Sequence, residues 1–443
     1  MMCSHTDASN PAAMKPTWGL ATGAAVATAA VIGSVMWYRK AATRNTPHNE
    51  CPIPKHVRPF HTVYGRNLLA ELKPVCPSGH FLIVTMRDLV DVLHLKSVFG
   101  DTATIHCVES LEAEDLDRAV AVFGTDMRVV VGIGGGQAID VAKYFAWMLP
   151  GRPLLFQVRA VDCCYCVHDA SCAGQRCPLG ALNCLSWCWC RSCQVPTALT
   201  VDAAWGHRAA VRYSGVVRYV GFAVPEAVYI DFDIIRKAPR RLNMSGVGDV
   251  LCYHTAHADW RIADAAGHAG IWQYDAAVAA EAAAVVDYLV ANLAEVRKLS
   301  DAGIRALVSA LSYGGAAYHA HGWNPRPVEG FDHIFFYALE YHTGQHFIHG
   351  FPVLLGVFLG SLLQGNRPAW VLKVITRLDI DIRPTAMGVT WDQVKETLLG
   401  MRAFAQDKGY MFTVANAEDI TEEWVEKARA QVEAAYETQA AAV

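Results

Sequence analysis

The chain has 443 residues, of which 53% are hydrophobic, 10% aromatic and 18% charged, a composition that excludes a disordered or collagen-like polymer and predicts two domains and a tail. Its 38 Lys and Arg stand against 42 Asp and Glu, for a formal charge of −4. That balance lacks the basic excess that binding to a phosphate backbone needs, and nucleic acid is excluded as a partner.

Residues 1–17 read as a polar leader. Trp18 to Tyr38 then runs without a charge, long enough as a helix to cross about 30 Å of hydrocarbon, with Trp18, Trp37 and Tyr38 at its ends as interfacial aromatics. The segment is expected to be a single transmembrane helix, with a cleaved targeting peptide or an unstructured Ala-rich leader as the alternatives. Arg39, Lys40 and Arg44 follow it and only Lys15 precedes it. The positive-inside rule then predicts a membrane-anchored protein whose catalytic part faces the cytosol, or one that is organelle-targeted.

A polar linker over 39–59 leads into an expected α/β domain over 60–235. FLIVTM (81–86), ATIHCV (103–108), MRVVVGIG (127–134), RPLLFQ (152–157) and AVYID (227–231) read as buried parallel strands. Helical patterns at 111–123 and 137–149 lie between them, which is the signature of βαβ repetition. From 236 to 443 long Ala-rich helical stretches such as 276–296 replace the strands, so the second domain is expected to be helical. Thr421 is a candidate N-cap for the last helix.

Nine of the 14 cysteines lie between Cys163 and Cys193. The cluster holds two CxxC pairs, Cys163 with Cys166 and Cys190 with Cys193, but the 23 residues between them are more than zinc-ribbon spacing, which argues against a metal module. Gln-Val occurs on both sides of it, at Gln157-Val158 and Gln194-Val195, as translation across a retained intron would leave. Residues 158–194 are therefore read as a retained intron or a disordered surface insertion, and no chemistry is taken from them.

The stretch VVVGIGGGQAIDVAK, Val129 to Lys143, is an apolar strand, three glycines and a helix. Such a turn lets backbone amides and a helix N-terminus close on a pyrophosphate. With Asp140, Lys143 and the later Pro196-Thr197, it resembles the superfamily of iron-containing alcohol dehydrogenases, dehydroquinate synthases and glycerol-1-phosphate dehydrogenases, most of all the last branch. The resemblance covers about residues 55–400. It implies a parallel α/β dinucleotide domain followed by an all-α metal-binding domain. It assigns Gly134, Gly135, Gly136, Gln137, Ala138 and Asp140, with Thr197 and Thr200, to the cofactor, which is NAD or NADP.

The same resemblance implies a metal held by Asp249, His333 and His349, Zn²⁺ before Fe²⁺, with one position left open for a substrate oxygen. Iron-type relatives add a His where this chain has Tyr253, so the four-ligand iron set is incomplete. His254, His257, His342 and His346 are expected to be ordinary packed or surface residues. Asp202 is expected to orient a substrate hydroxyl, and Tyr337 stands where the glycerol-1-phosphate branch has a substrate-contacting His. Arg87, at the end of the second strand, stands where NAD-preferring relatives carry an acid, and is a candidate partner for the 2′-phosphate of NADP.

The function expected is a metal-dependent NAD(P)-linked oxidoreductase acting on the CH–OH group of a small alcohol, polyol or polyol phosphate. Its partners are that small molecule and, through the N-terminal segment, a membrane, with a homo-oligomer as an open form of assembly. The alternatives are a dehydroquinate-synthase-like lyase, which would place a Glu where Asp249 stands, and a non-catalytic membrane-tethered relative.

Overall fold

A computed structural model describes residues 51–72, 80–123, 127–149, 191–378 and 380–441. The chain divides into a unit over Met1–Thr43, which lies outside the described residues, and a unit over Arg44–Val443, and the fold is that of the second. The expected leader and transmembrane helix fall outside the described residues. Among the described residues no helix is long and apolar enough to cross a membrane.

Six strands form one parallel sheet: β1 (Thr62–Gly65), β2 (His80–Thr85), β3 (Ala103–Cys107), β4 (Met127–Gly134), β5 (Arg191–Pro196) and β8 (Ala227–Asp231), in the order β1-β8-β5-β4-β2-β3. β6 (Ala209–Tyr213) and β7 (Val216–Val220) make a separate antiparallel hairpin. Val129, Val130 and Val131 at the sheet centre are all buried, as expected of a parallel strand covered on both faces. The order reverses between β4 and β2, so the crevice at the carboxyl ends of these strands is the topological switch point where α/β sheets take ligands. Helices α1 (Ala113–Ala121) and α2 (Gly136–Met148) cover the sheet.

β4 and β8 match their sequence-read spans, and β2 and β3 match theirs to within a residue. β1 and the β6–β7 hairpin were not legible, because they are only partly buried and carry no continuous apolar run of the kind that marks β8. The expected strand at 152–157 lies outside the described residues. The expected boundary at 235/236 falls inside the short helix Phe232–Lys237, which continues directly from β8; Val228 and Ile230 of β8 join the apolar core of the helices, whereas Leu82, Val84 and Val130 of β2 and β4 belong to a separate cluster.

Of the Cys-rich segment, residues 158–190 lie outside the described residues, whereas Arg191–Gln194 form the first part of β5, between β4 and β8. Four residues assigned to the insertion are thus sheet. Deleting Val158–Gln194 would place Leu154, Leu155, Phe156 and Gln157 in that register, with a glutamine again opposite Gly132. The deletion would put Phe156 and Gln157 at the buried positions of Cys193 and Gln194, and a parallel strand covered on both faces favours such an apolar run. We propose that 158–194 is dispensable. The shortened chain is expected to fold and to melt at a temperature no lower than the full chain, and collapse of the fold on deletion would show that Arg191–Gln194 is irreplaceable.

The helical region comprises α3 (Gly248–Leu251), α4 (Tyr253–Ala265), α5 (Ala276–Ala291), α6 (Leu293–Lys298), α7 (Asp301–Ala320), α8 (Phe331–Thr343), α9 (Gly350–Leu363), α10 (Trp391–Asp407) and α11 (Glu422–Ala441), with shorter turns between. Side-chain caps start several of them: Asp275 accepts from the N–H groups of Ala277 and Val278, Ser300 from Gly303, and Thr421 from Trp424, as its sequence predicted. The single expected helix at 276–296 is interrupted at Asn292, whose side chain bonds back to Tyr288 O.

Three glycines let the helices carrying the polar site approach closely. A Cβ on Gly350 would stand 1.8 Å from Ser245 O, one on Gly248 2.8 Å from Gly350 O, and one on Gly356 2.8 Å from Asp332 Cα. Backbone cannot yield as a side chain can. Gly350→Ala is therefore expected to cost about 1–3 kcal/mol, read as a lower urea midpoint, and an unchanged midpoint would mean that the contact of α9 with Ser245 is looser than described.

Candidate active site

Asp249 on α3, His333 on α8 and His349 at the start of α9 converge. His349 Nε2 lies 2.8 Å from Asp249 Oδ1, His333 Nε2 lies 3.7 Å from the same oxygen, and the two Nε2 atoms are 3.3 Å apart. Donors held at about 2.0–2.1 Å around one tetrahedral centre are about 3.3 Å from each other, and the three separations bracket that value. Asp249 Oδ1 is buried and has no hydrogen-bond partner among the described residues, an arrangement costly for a carboxylate oxygen unless a cation takes it. Burial alone would raise the Asp249 pKa, but His349 and His333 outweigh it and hold the carboxyl below its usual range. The donor set and its spacing fit a divalent metal ion of the zinc class.

A second layer aims these ligands. Asp332, fully buried, accepts from His333 Nδ1 at 2.7 Å and from Thr255 Oγ1 at 2.8 Å, which fixes the ring so that Nε2 faces Asp249. Asp249 Oδ2 accepts from the backbone N–H of Asp202 at 2.9 Å. Cys252 donates to Val328 O, and burial pushes its thiol pKa well up, so it stays protonated beside His333. Neither Asp332 nor Cys252 was singled out from the sequence. The available signal was the adjacency of each to a ligand or a ligand's turn, in Phe331-Asp332-His333 and Cys252-Tyr253.

Asp249, His333 and His349 wall a cavity between the end of the sheet and the helices, lined also by Asp140, Lys143, Val201, Asp202, Arg208 and Glu329. The Asp202 carboxyl is pushed well up, by burial first and then by Asp249 and Glu329. Its Oδ2 and the Tyr253 hydroxyl both crowd the space beside Gly314, where a Cβ would lie 2.7 and 2.2 Å from them. Tyr253 is buried and its hydroxyl has no hydrogen-bond partner among the described residues. His207 is stacked on His319 at 4.0 Å, and burial, with His319 and Lys143 nearby, pushes its pKa down to about 2.

The glycine turn sits at the carboxyl end of β4. Gly135 is the N-cap of α2 without a side-chain cap, and a Cβ there would meet only Thr200 Oγ1, at 3.6 Å. This leaves backbone open to a phosphate. Gly134 and Gly136 serve packing instead: a Cβ would stand 2.6 Å from the Ala138 Cβ and 2.5 Å from Val201 Cγ2 respectively. Gln137 is exposed at the helix start, Ala138 is buried under the turn, and Thr197 is buried with its N–H on Gly134 O at 3.0 Å. Asp140 is drawn into a buried ion pair with Lys143 at 2.8 Å, and Lys143 also donates to Ala203 O and Arg208 O. This pair holds the loop after β5 against α2.

The structure departs from expectation at Tyr337. Its hydroxyl lies 3.3 Å from that of Tyr219, its ring stacks on Tyr410, and it is Tyr219, on β7, that lines the cavity. Tyr219 also donates to Glu329 at 3.0 Å. Arg87 is exposed and ion-paired with Glu109. His254 and His257 bond to the carbonyls of Asn366 and Tyr253, His342 packs against Phe404, and His346 is exposed beside Glu340; none joins the ligand cluster.

No protein-family model matches the chain. It is 24% identical over 379 residues to a glycerol-1-phosphate dehydrogenase, NAD(P)+, of Methanosarcina mazei, covering 82% of this chain and 94% of the relative. It is 30% identical over 383 residues to the corresponding enzyme of Pyrococcus horikoshii, covering 84% of this chain and 96% of that one. The chain belongs to the glycerol-1-phosphate dehydrogenase family. It is an NAD(P)-linked oxidoreductase acting on a CH–OH group, and the lyase and non-catalytic alternatives fall away.

Solved structures carry the same fold. A probable glycerol dehydrogenase from Sinorhizobium meliloti superposes with a TM-score of 0.59 at 18% identity, covering 85% of this chain and 97% of that one. A sulfoacetaldehyde reductase from Bifidobacterium kashiwanohense in complex with NAD+ does so with 0.53 at 15%, covering 84% and 96%. The expected membrane-anchored localisation is corrected. No helix among the described residues meets the requirement for a span, and the glycerol-1-phosphate dehydrogenases match nearly their whole length to only part of this chain.

Proposed function

We propose that this enzyme interconverts dihydroxyacetone phosphate and glycerol-1-phosphate, with Zn²⁺ held by Asp249, His333 and His349. NADH or NADPH would lie across the turn Gly134–Gly136, beside Gln137, Ala138, Thr197 and Thr200. The observation that carries this reading is the convergence of one carboxylate and two imidazoles on the wall of a cavity that reaches Asp140 and Val201, next to the glycine turn. When bound, the metal supplies Lewis-acid polarisation of the substrate oxygen and the nicotinamide supplies or accepts the hydride.

The chain's own residues do the rest. Asp332 and the Asp202 N–H hold the ligands in register, so that little reorganisation accompanies the reaction. The Asp202 carboxyl and the Tyr253 hydroxyl meet the hydroxyl groups of a small polyol. Glu329 and Tyr219 close the opposite wall. Lys143 is engaged by Asp140 and two carbonyls, which leaves Arg208, held over the Trp323 ring at 3.9 Å, as the lining guanidinium suited to a phosphate.

Arg208→Ala is expected to raise KM for dihydroxyacetone phosphate about 10- to 100-fold, the loss of a charge-assisted hydrogen bond, with a far smaller effect on dihydroxyacetone. The direct test follows NADH and NADPH oxidation with the two ketones in parallel. Preference for the phosphorylated one supports the proposal, and turnover of the unphosphorylated one alone would replace it with a polyol dehydrogenase.

A further inference from the structure

A second cluster of metal-ligating side chains lies outside the active site and shares no residue with it. His56, in the segment before β1, places Nε2 3.1 Å from Glu281 Oε1 on α5, and His321, at the end of α7, places Nε2 3.3 Å from Glu281 Oε2. The three ligand atoms lie within 4.8 Å of one another, and the two imidazole rings meet edge to face at 5.5 Å. One carboxylate therefore faces a different imidazole with each oxygen.

Ordinary ion pairing accounts poorly for this geometry. Glu281 Oε2 and His321 Nε2 are both buried and 3.3 Å apart, yet neither makes a well-aligned hydrogen bond among the described residues. Leaving both unsatisfied is costly. A divalent ion between them would use the lone pair of each, and with Glu281 chelating through both oxygens the 3.1 and 3.3 Å separations match two edges of a zinc-class polyhedron. Two imidazoles and one carboxylate select zinc-class ions over Mg²⁺ and Ca²⁺, which prefer all-oxygen sets. Exposed His56, at 55%, leaves the site open to solvent and to exchange.

We propose that His56, Glu281 and His321 form a second, exchangeable zinc-class metal site that ties the entry segment of the domain to α5 and α7. Cys51, Val57 and Phe60 already pack that segment into the helical core. The ion would add a cross-link between parts of the chain more than 200 residues apart in sequence, stabilising the folded state by linkage whenever it is bound.

The test is zinc stoichiometry of the full chain after dialysis against a weak chelator, measured by mass spectrometry, for the wild type, His56→Ala, His321→Gln and His333→Ala. His56→Ala changes an exposed residue and keeps the fold. It is expected to lose one equivalent of zinc and the part of the Zn²⁺-dependent rise in Tm that this site supplies, while turnover at saturating zinc is unchanged. His321→Gln should lose the same equivalent, His333→Ala a different one, and the double variant His56→Ala/His333→Ala both. Each comparison subtracts any zinc taken by the Cys-rich segment, which is identical in all. If His56→Ala and His321→Gln retain the wild-type zinc content and the wild-type response of Tm to zinc, the site does not exist.

Discussion

Asp249→Asn is expected to lower kcat/KM by about 10³-fold and to release the active-site metal. Asparagine keeps the shape and can still accept the Asp202 N–H at the Oδ2 position. It removes the negative charge that faces His349 Nε2 at 2.8 Å and His333 Nε2 at 3.7 Å. A metal in such a site contributes several kcal/mol of transition-state charge stabilisation, and each decade of rate corresponds to about 1.4 kcal/mol. Metal analysis of the purified variant together with steady-state kinetics checks both halves. Full activity with full metal content in Asp249→Asn would remove this carboxylate from the centre.

Asp332→Asn is expected to weaken metal binding about 10- to 100-fold, the usual effect of removing the group that orients a ligating imidazole. Asp332 accepts both from His333 Nδ1 and from Thr255 Oγ1, and in the variant one of those acceptor positions becomes an amide that cannot accept. The ring loses its fixed tautomer. Because Asp332 is fully buried, the fold is checked separately by thermal unfolding. Activity restored by excess Zn²⁺ distinguishes weakened metal affinity from misfolding. A variant that holds zinc as tightly as the wild type would show that the His333 ring is fixed by other contacts.

The parts of this architecture with local signatures were the ones legible in the sequence. β4 and β8 are apolar runs buried on both faces, and their spans follow from composition alone. The Asp249, His333 and His349 set was legible only through the family pattern around it, because the three residues approach one another through helix packing at Gly248, Gly350 and Gly356. Tyr337 shows the limit of position by position transfer. Its side chain packs on Tyr410, and the cavity wall is completed by Tyr219 from a partly exposed hairpin without a continuous apolar run. Lys143, read as part of a nucleotide-binding helix, proves to be the buried clamp of the loop after β5. Nothing in its spacing distinguishes a lysine that meets a ligand from one that meets two carbonyls.

The most direct measurement is an anomalous difference map at the zinc edge from crystals of the zinc-loaded protein. We expect one peak about 2.0–2.2 Å from Asp249 Oδ1, His333 Nε2 and His349 Nε2 together. Density showing these three side chains turned apart, or zinc present in the crystal with no peak among them, would contradict the account.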